Sequence, residues 1–224
     1  MKLESVAETV SYVDPRTGAT YPIGTPRWRS ETGGPLMLTA LPGMSRSEIE
    51  IGCRSLWRYA ASLPIHVAEP ITMGEGCTPL IERSWHGKRA FLKLETTNPT
   101  GSFKDRGATV MLSTLRQQGI DHVLEDSSGN GGAAIAGYAA AGGMKSKILV
   151  PASTQPGKTV QMRAYGAETE LTPARARTRQ MRPSDRRTIS STPVTPGTHS
   201  SSRERRRSPM NSGRTSALGH PTTS

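Results

Sequence analysis

The sequence predicts an α/β fold: a parallel sheet with crossover helices, followed by a disordered C-terminal tail. Three observations carry that reading. From Arg89 onward, strand-like and helix-like segments alternate, the pattern of parallel strands joined by helices. Two glycine-rich stretches, "TTNPTGSFK" and "DSSGNGGAA", stand where a strand gives way to a helix, which is where such folds bind ligands. After residue 168 the periodicity stops and Arg, Ser, Thr and Pro take over. The chain therefore divides into an N-terminal segment (1–88), a small α/β domain (89–168) and a tail (169–224).

The elements follow in order. Residues 1–50 are mixed, and "YPIGTPRWRSETGGPL" reads as extended pieces and turns. "SRSEIEIGCRSLWRYAASLP" opens with a capping box, Ser47 with Glu50, and predicts a helix as far as Pro64. "MGEGCTPLIE" is a glycine-proline turn entering a short strand. "RAFLKLE" alternates and reads as a strand. In "NPTGSFKDRG", Pro99 and Gly101 make a turn and Ser102 is a good N-cap. Val110, Met111, Leu112 and Leu115 then recur at helical spacing, and Gly119 is the stop. "DHVLEDSS" contains a strand, "GNGGAAIAGYAAAGG" is a small-residue helix, "SKILVP" is a strand and "QPGKTVQMRAYGAE" a helix.

Composition bounds the rest. The 224 residues are 33% hydrophobic and carry a net charge of +11. That charge is not spread evenly. Residues 169–224 hold eleven Arg, no Lys and three acids (Glu170, Asp185, Glu204), and no Phe, Trp or Tyr. Such a segment buries too little apolar area to offset its ordering entropy. Its Arg-without-Lys composition, beginning abruptly after a regular helix, is also what a GC-rich gene read in the wrong frame gives. "RERRR" at 203–207 has no aromatic interleaving, so nucleic acid is not an expected partner. Cys53 and Cys77 form no CxxC, and His66, His86 and His122 have no metal-ligand spacing. The start of the chain lacks an apolar h-region and no apolar run reaches bilayer length. A soluble cytoplasmic protein is the expectation.

Lys104 is the odd residue. It falls in the first turn of a helix, where the dipole favours anions and disfavours cations. A lysine belongs there if a neutral, nucleophilic amine is what the site needs.

"NPTGSFKDRG", "SSGNGGAA", "ILVP" and "K…QMRAYGAE", in that order, resemble the fold-type-II pyridoxal-phosphate (PLP) enzymes, and "GEGCTPL" with the preceding "WRY…LP" resembles the threonine synthase branch. The resemblance covers about residues 50–168. It implies that Lys104 forms the internal Schiff base with PLP and, once freed, acts as a general base at the substrate α-carbon. It implies that Asn130 hydrogen-bonds the ring hydroxyl. Ser127, Ser128, Gly129 and Gly131 would hold the substrate carboxylate, a role that a glycine-rich helix start suits physically. Asp105 and Arg106 read as helix-face charges and are assigned no catalytic role; Phe103 is expected to pack and Ser102 to cap. Residues 1–88 would be the N-terminal segment of a large domain. A small amino-acid substrate and a homodimer go with the family, and no membrane.

The implied reaction is conversion of O-phosphohomoserine and water to threonine and phosphate. A serine/threonine dehydratase or another β-replacement enzyme would share Lys104 and Asn130. No "GGGG"-like phosphate loop follows Lys104, and nothing in 169–224 replaces it. The sequence thus predicts a C-terminally truncated or frameshifted chain with weak or no catalysis. A non-enzymatic alternative is an inactive fragment whose basic tail binds an anion.

Overall fold

The computed structural model describes residues 10–41, 43–154, 156–173 and 188–190. The chain begins in a small antiparallel sheet of β1 (Ser11–Val13), β2 (Thr20–Pro22) and β3 (Met37–Leu38), in the order β2-β1-β3. Asp14, wholly buried, organises the turn that follows β1. Its carboxylate accepts from the Arg16 N–H at 2.9 Å and the Thr32 hydroxyl at 3.0 Å. Hydrogen bonding, led by Ser30, holds that carboxyl down at about 2.

The helix expected from Ser47 to Pro64 does not form. Two 3-10 helices stand there instead, Arg46–Glu48 and Leu56–Ser62. The capping pair is Ser45 with Glu48, two residues earlier than expected: Glu48 Oε2 accepts from the Ser45 N–H at 2.7 Å. Ile49 is extended, and Ser55 Oγ caps a new turn by accepting from the Trp57 N–H at 3.2 Å. The physical reason is tertiary. Trp57 is buried and its indole N–H donates to Thr109 Oγ1 at 2.8 Å, while the Leu56 N–H donates to Glu75 O at 2.6 Å. A continuous helix through 47–64 would give up these anchors.

β4 (Leu80–Trp85) and β5 (Lys88–Lys93) form an antiparallel hairpin. "RAFLKLE" is a strand as expected, but it does not join the parallel sheet. The two-residue turn His86-Gly87, with both φ values positive (48° and 72°), pairs it locally with β4.

The parallel sheet begins after α1 (Lys104–Gln117). Gly119 (φ 81°) ends that helix, with the Ile120 N–H returning to Leu115 O at 2.9 Å. The chain then runs through β6 (His122–Asp126), α2 (Asn130–Ala141), β7 (Lys145–Pro151), α3 (Gly157–Ala164), β8 (Glu168–Thr172) and β9 (Thr188–Ser190). The order is β8-β7-β6-β9, with every pair parallel. α2 is buried almost all round because its residues are small. A Cβ on Gly132 would stand 2.8 Å from Met162 Cε and 3.0 Å from Ile148 Cγ2, so α2 packs against both α3 and the sheet at close range. Leu112, Val123, Tyr138, Ile148, Val150 and Met162 form the centre of the core.

The boundary drawn between residues 168 and 169 falls inside β8. That strand keeps register with β7, and Lys147 Nζ lies 2.8 Å from carboxylate oxygens of both Glu168 and Glu170. Apart from 169–173 and 188–190, the segment expected to be disordered lies outside the described residues. No described helix is long and apolar enough to cross a membrane.

Candidate functional site

Topology sets the site. α1 leads into β6 through a tight turn, in which the Ile120 N–H donates to Leu115 O at 2.9 Å, and β6 ends at Asp126. α2 starts directly after that end, and α3 directly after the end of β7. Two helix starts, those of α2 and α3, therefore stand at the carboxyl edge of one parallel sheet, the edge where such folds take ligands.

Six residues were expected here. Ser127, Ser128, Gly129, Asn130 and Gly131 come together at the start of α2. Ser127 Oγ accepts from the Gly132 N–H at 2.9 Å and, more weakly, from the Gly129 N–H at 3.4 Å. That hydroxyl thus caps the helix. A Cβ on Gly131 would stand 3.0 Å from it, so the turn closes tightly only without a side chain there. The Asn130 side chain is exposed on the first turn of α2. Helix starts leave N–H groups without intrahelical partners; Ser127 takes Gly132's, and those of Asn130 and Gly131 meet no acceptor among the described residues. Just before this loop, the Asp126 Oδ1 atom is buried with no hydrogen-bond partner among the described residues.

Lys104 comes from a separate element. It is half-buried at the first position of α1, its Nζ 5.0 Å from the Phe103 ring centroid. Ser102 does cap, its Oγ accepting from the Lys104 N–H at 3.2 Å, although Phe103 holds the N-cap position. Phe103 does not pack inward. It is 57% exposed, its ring facing Lys104 Nζ instead.

The sequence reading undervalued the residues that hold this loop. Asp105 is wholly buried, not a helix-face charge. It accepts from the Thr100 N–H at 2.7 Å and from the Thr100 hydroxyl. Burial pushes its carboxyl above the usual range. Glu75, also wholly buried, accepts from the Tyr138 hydroxyl at 2.7 Å and from the Met73 N–H at 3.1 Å. Arg106 grips Glu95 with two nitrogens, at 2.7 and 2.8 Å, and Glu95 also takes the Thr78 hydroxyl at 2.8 Å. Asn98 joins the two loops, its Oδ1 accepting from the Gly76 N–H at 2.9 Å. The available signal was polar density: "NPTGSFKDR" and "GEGCTP" carry many short polar side chains for segments meant to pack.

The Glu95–Arg106 pair gives a pH prediction. The Arg106 guanidinium holds the Glu95 carboxyl at about 2, below its ordinary value. A depressed carboxyl stabilises the fold above its unfolded value, and that contribution is lost as pH falls through about 2. Glu95→Gln is expected to cost about 2 kcal/mol at pH 7. In urea melts the gap between wild type and variant should shrink steadily from about pH 5 downward. An equal gap at pH 7 and about pH 2.5 would contradict the assignment, because at the lower pH the unfolded carboxyl is protonated and most of the contribution is already lost.

Residues 71–193 match the family described as pyridoxal-phosphate dependent enzyme, and the chain belongs to that family. At the level of individual relatives, it is 39% identical over 127 residues to a threonine synthase of Methanosarcina acetivorans, covering 54% of this chain and 31% of that one. It is 38% identical over 126 residues to a threonine synthase of Halalkalibacterium halodurans, covering 51% and 35%. The chain thus spans about a third of the length of these curated relatives. Among solved structures, it is similar to an O-ureido-L-serine synthase, with 29% identity over 45% of this chain and 34% of that chain, at a TM-score of 0.42.

Proposed function

We propose that this chain is the cofactor-attaching part of a PLP-dependent lyase of the threonine synthase kind, and that Lys104 is the attachment point. One observation supports the reading: Lys104 opens α1 directly after the Thr100 loop, which is tied to Gln161 of α3 and lies against Gly137 of α2, the two helices that start at the carboxyl edge of the sheet. The residues present suit the cofactor in kind. Lys104 offers a primary amine for its aldehyde, and Asn130 an exposed amide for its ring hydroxyl. The open N–H groups of the α2 turn suit a carboxylate or another anion. The buried Asp126 Oδ1, without a hydrogen-bond partner among the described residues, is an unused acceptor.

When bound, PLP supplies an electron sink for charge developing at the substrate α-carbon. The chain's own residues do the rest. Ser127 fixes the turn, and Asn130 and Gly131 orient the anion through their N–H groups. Lys104, once its amine is released, takes the α-proton at Nζ. Relatives named threonine synthase support threonine as the product, and the substrate proposed is O-phosphohomoserine, converted with water to threonine and phosphate. The test is an assay of phosphate release from O-phosphohomoserine, beside 2-oxo acid release from L-threonine and L-serine, with PLP added. Phosphate release that exceeds oxo-acid release supports the threonine synthase reading; oxo acid alone moves it to a dehydratase.

A further inference from the structure

We infer that Asp105 is a positioning residue for Lys104: its carboxylate, by binding both the N–H and the hydroxyl of Thr100, closes the loop that aims the lysine. The inference rests on the reading of Lys104 as the amine that takes the cofactor.

Asp105 directly follows Lys104 and is wholly buried. A carboxylate is carried into such a place only with hydrogen-bond partners, and here Thr100 supplies them. The bonds close a ring from residue 100 to residue 105 that contains Gly101, at φ 86°, and Lys104. Thr100 is itself fixed from two further sides. Gln161 of α3 donates to Thr100 O at 2.9 Å. The Thr100 methyl lies 3.0 Å from where a Cβ on Gly137 of α2 would stand. All three helices on this side of the sheet thus meet at Thr100, and Asp105 transmits that fixed point to the neighbouring lysine. The Gly101 N–H, donating to Asn98 O at 2.8 Å, closes the other end of the loop.

Both carboxylate oxygens are engaged by Thr100, so the role is hydrogen bonding and not charge. Asparagine can imitate it. Its Oδ1 accepts from the Thr100 N–H and its Nδ2 donates to the hydroxyl, which also accepts. Alanine cannot, and it strands the Thr100 N–H.

The experiment uses the full chain as wild type, Asp105→Ala, Asp105→Asn and Thr100→Val. Two quantities are read: hydrogen exchange of the Thr100 and Lys104 amides without cofactor, and the fraction of Lys104 carrying pyridoxal phosphate after borohydride trapping, by peptide mass. In Asp105→Ala, exchange at both amides should rise about tenfold or more while Val123 and Val150 keep their protection. Trapping at Lys104 should fall in step. Asp105→Asn should stay within about threefold of wild type in both readouts. Should Asp105→Ala fail to fold, Thr100→Val decides alone, with the same direction expected. Unchanged exchange in a folded Asp105→Ala or Thr100→Val overturns the inference, and so does an Asp105→Asn as impaired as the alanine. If exchange responds as expected but the wild type traps no pyridoxal phosphate at Lys104, the positioning role stands and the reading of the lysine fails.

Discussion

Lys104→Ala is expected to remove the visible absorption band that the wild-type chain keeps after mixing with PLP and gel filtration. Borohydride trapping of the wild type should label Lys104 about a hundredfold or more above an exposed lysine such as Lys88, the scale on which oriented groups outpace free ones. The comparison is needed because PLP also reacts with exposed amines. Several are present. Lys88 and Lys145 are exposed, while Lys93 is occupied by the Thr78 carbonyl oxygen. Lys147 is disfavoured for a different reason: Glu168 and Glu170 hold it as the ammonium, its pKa raised well above that of a free lysine. Lys104 has no carboxylate within ion-pairing distance among the described residues. An equal band in wild type and Lys104→Ala, with label spread over the surface lysines, would end the proposed function. A band that depends on Lys104 together with no turnover of any amino acid would separate attachment from catalysis.

Part of this architecture was legible because its physics is local. The run from β6 to α3 alternates strand and helix with short connections. Its small-residue helix reads directly as one pressed between neighbours. The turn at "SSGNGG" was legible for the same reason, since a Ser and several Gly at a helix start have few other uses.

What stayed hidden depends on partners distant in sequence. Trp57 breaks the expected 47–64 helix through a bond to Thr109, 52 positions away. Asp105 looks like any first-turn acid until Thr100, itself held by Gln161 and Gly137, is brought against it. β5 reads as a strand, but only the His86-Gly87 turn decides that its neighbour is β4. β8 was missed because "ETELT" has an exposed edge pattern, and its acids are explained only by Lys147 on the adjacent strand.

The second large effect is expected in the glycine pair of "GEGCTP". Gly74 and Gly76 both adopt positive φ, 88° and 98°. Sequence treats them alike; their surroundings do not. A Cβ on Gly74 meets nothing within 4 Å, whereas one on Gly76 would stand 2.9 Å from the Leu56 backbone N and 3.4 Å from Leu56 Cα. Gly74→Ala should therefore cost only the conformational strain, about 1 kcal/mol. Gly76→Ala adds a clash with backbone that cannot swing aside as a side-chain end can. It should cost about 3 kcal/mol or more, a large part of a domain's net stability of roughly 5–15 kcal/mol. The damage should also travel. The Leu56 N–H that the new methyl would displace donates to Glu75 O, and the Gly76 N–H donates to Asn98 Oδ1 at the head of the Lys104 loop. Urea melts of the two variants measure the difference in stability, and PLP trapping under conditions where both remain folded measures its reach. Equal costs for the two alanines would mean that the close approach of residues 55–56 to 76 is not part of the fold. A destabilised Gly76→Ala that still traps at the wild-type level would show that Asn98 does not transmit the disturbance to Lys104.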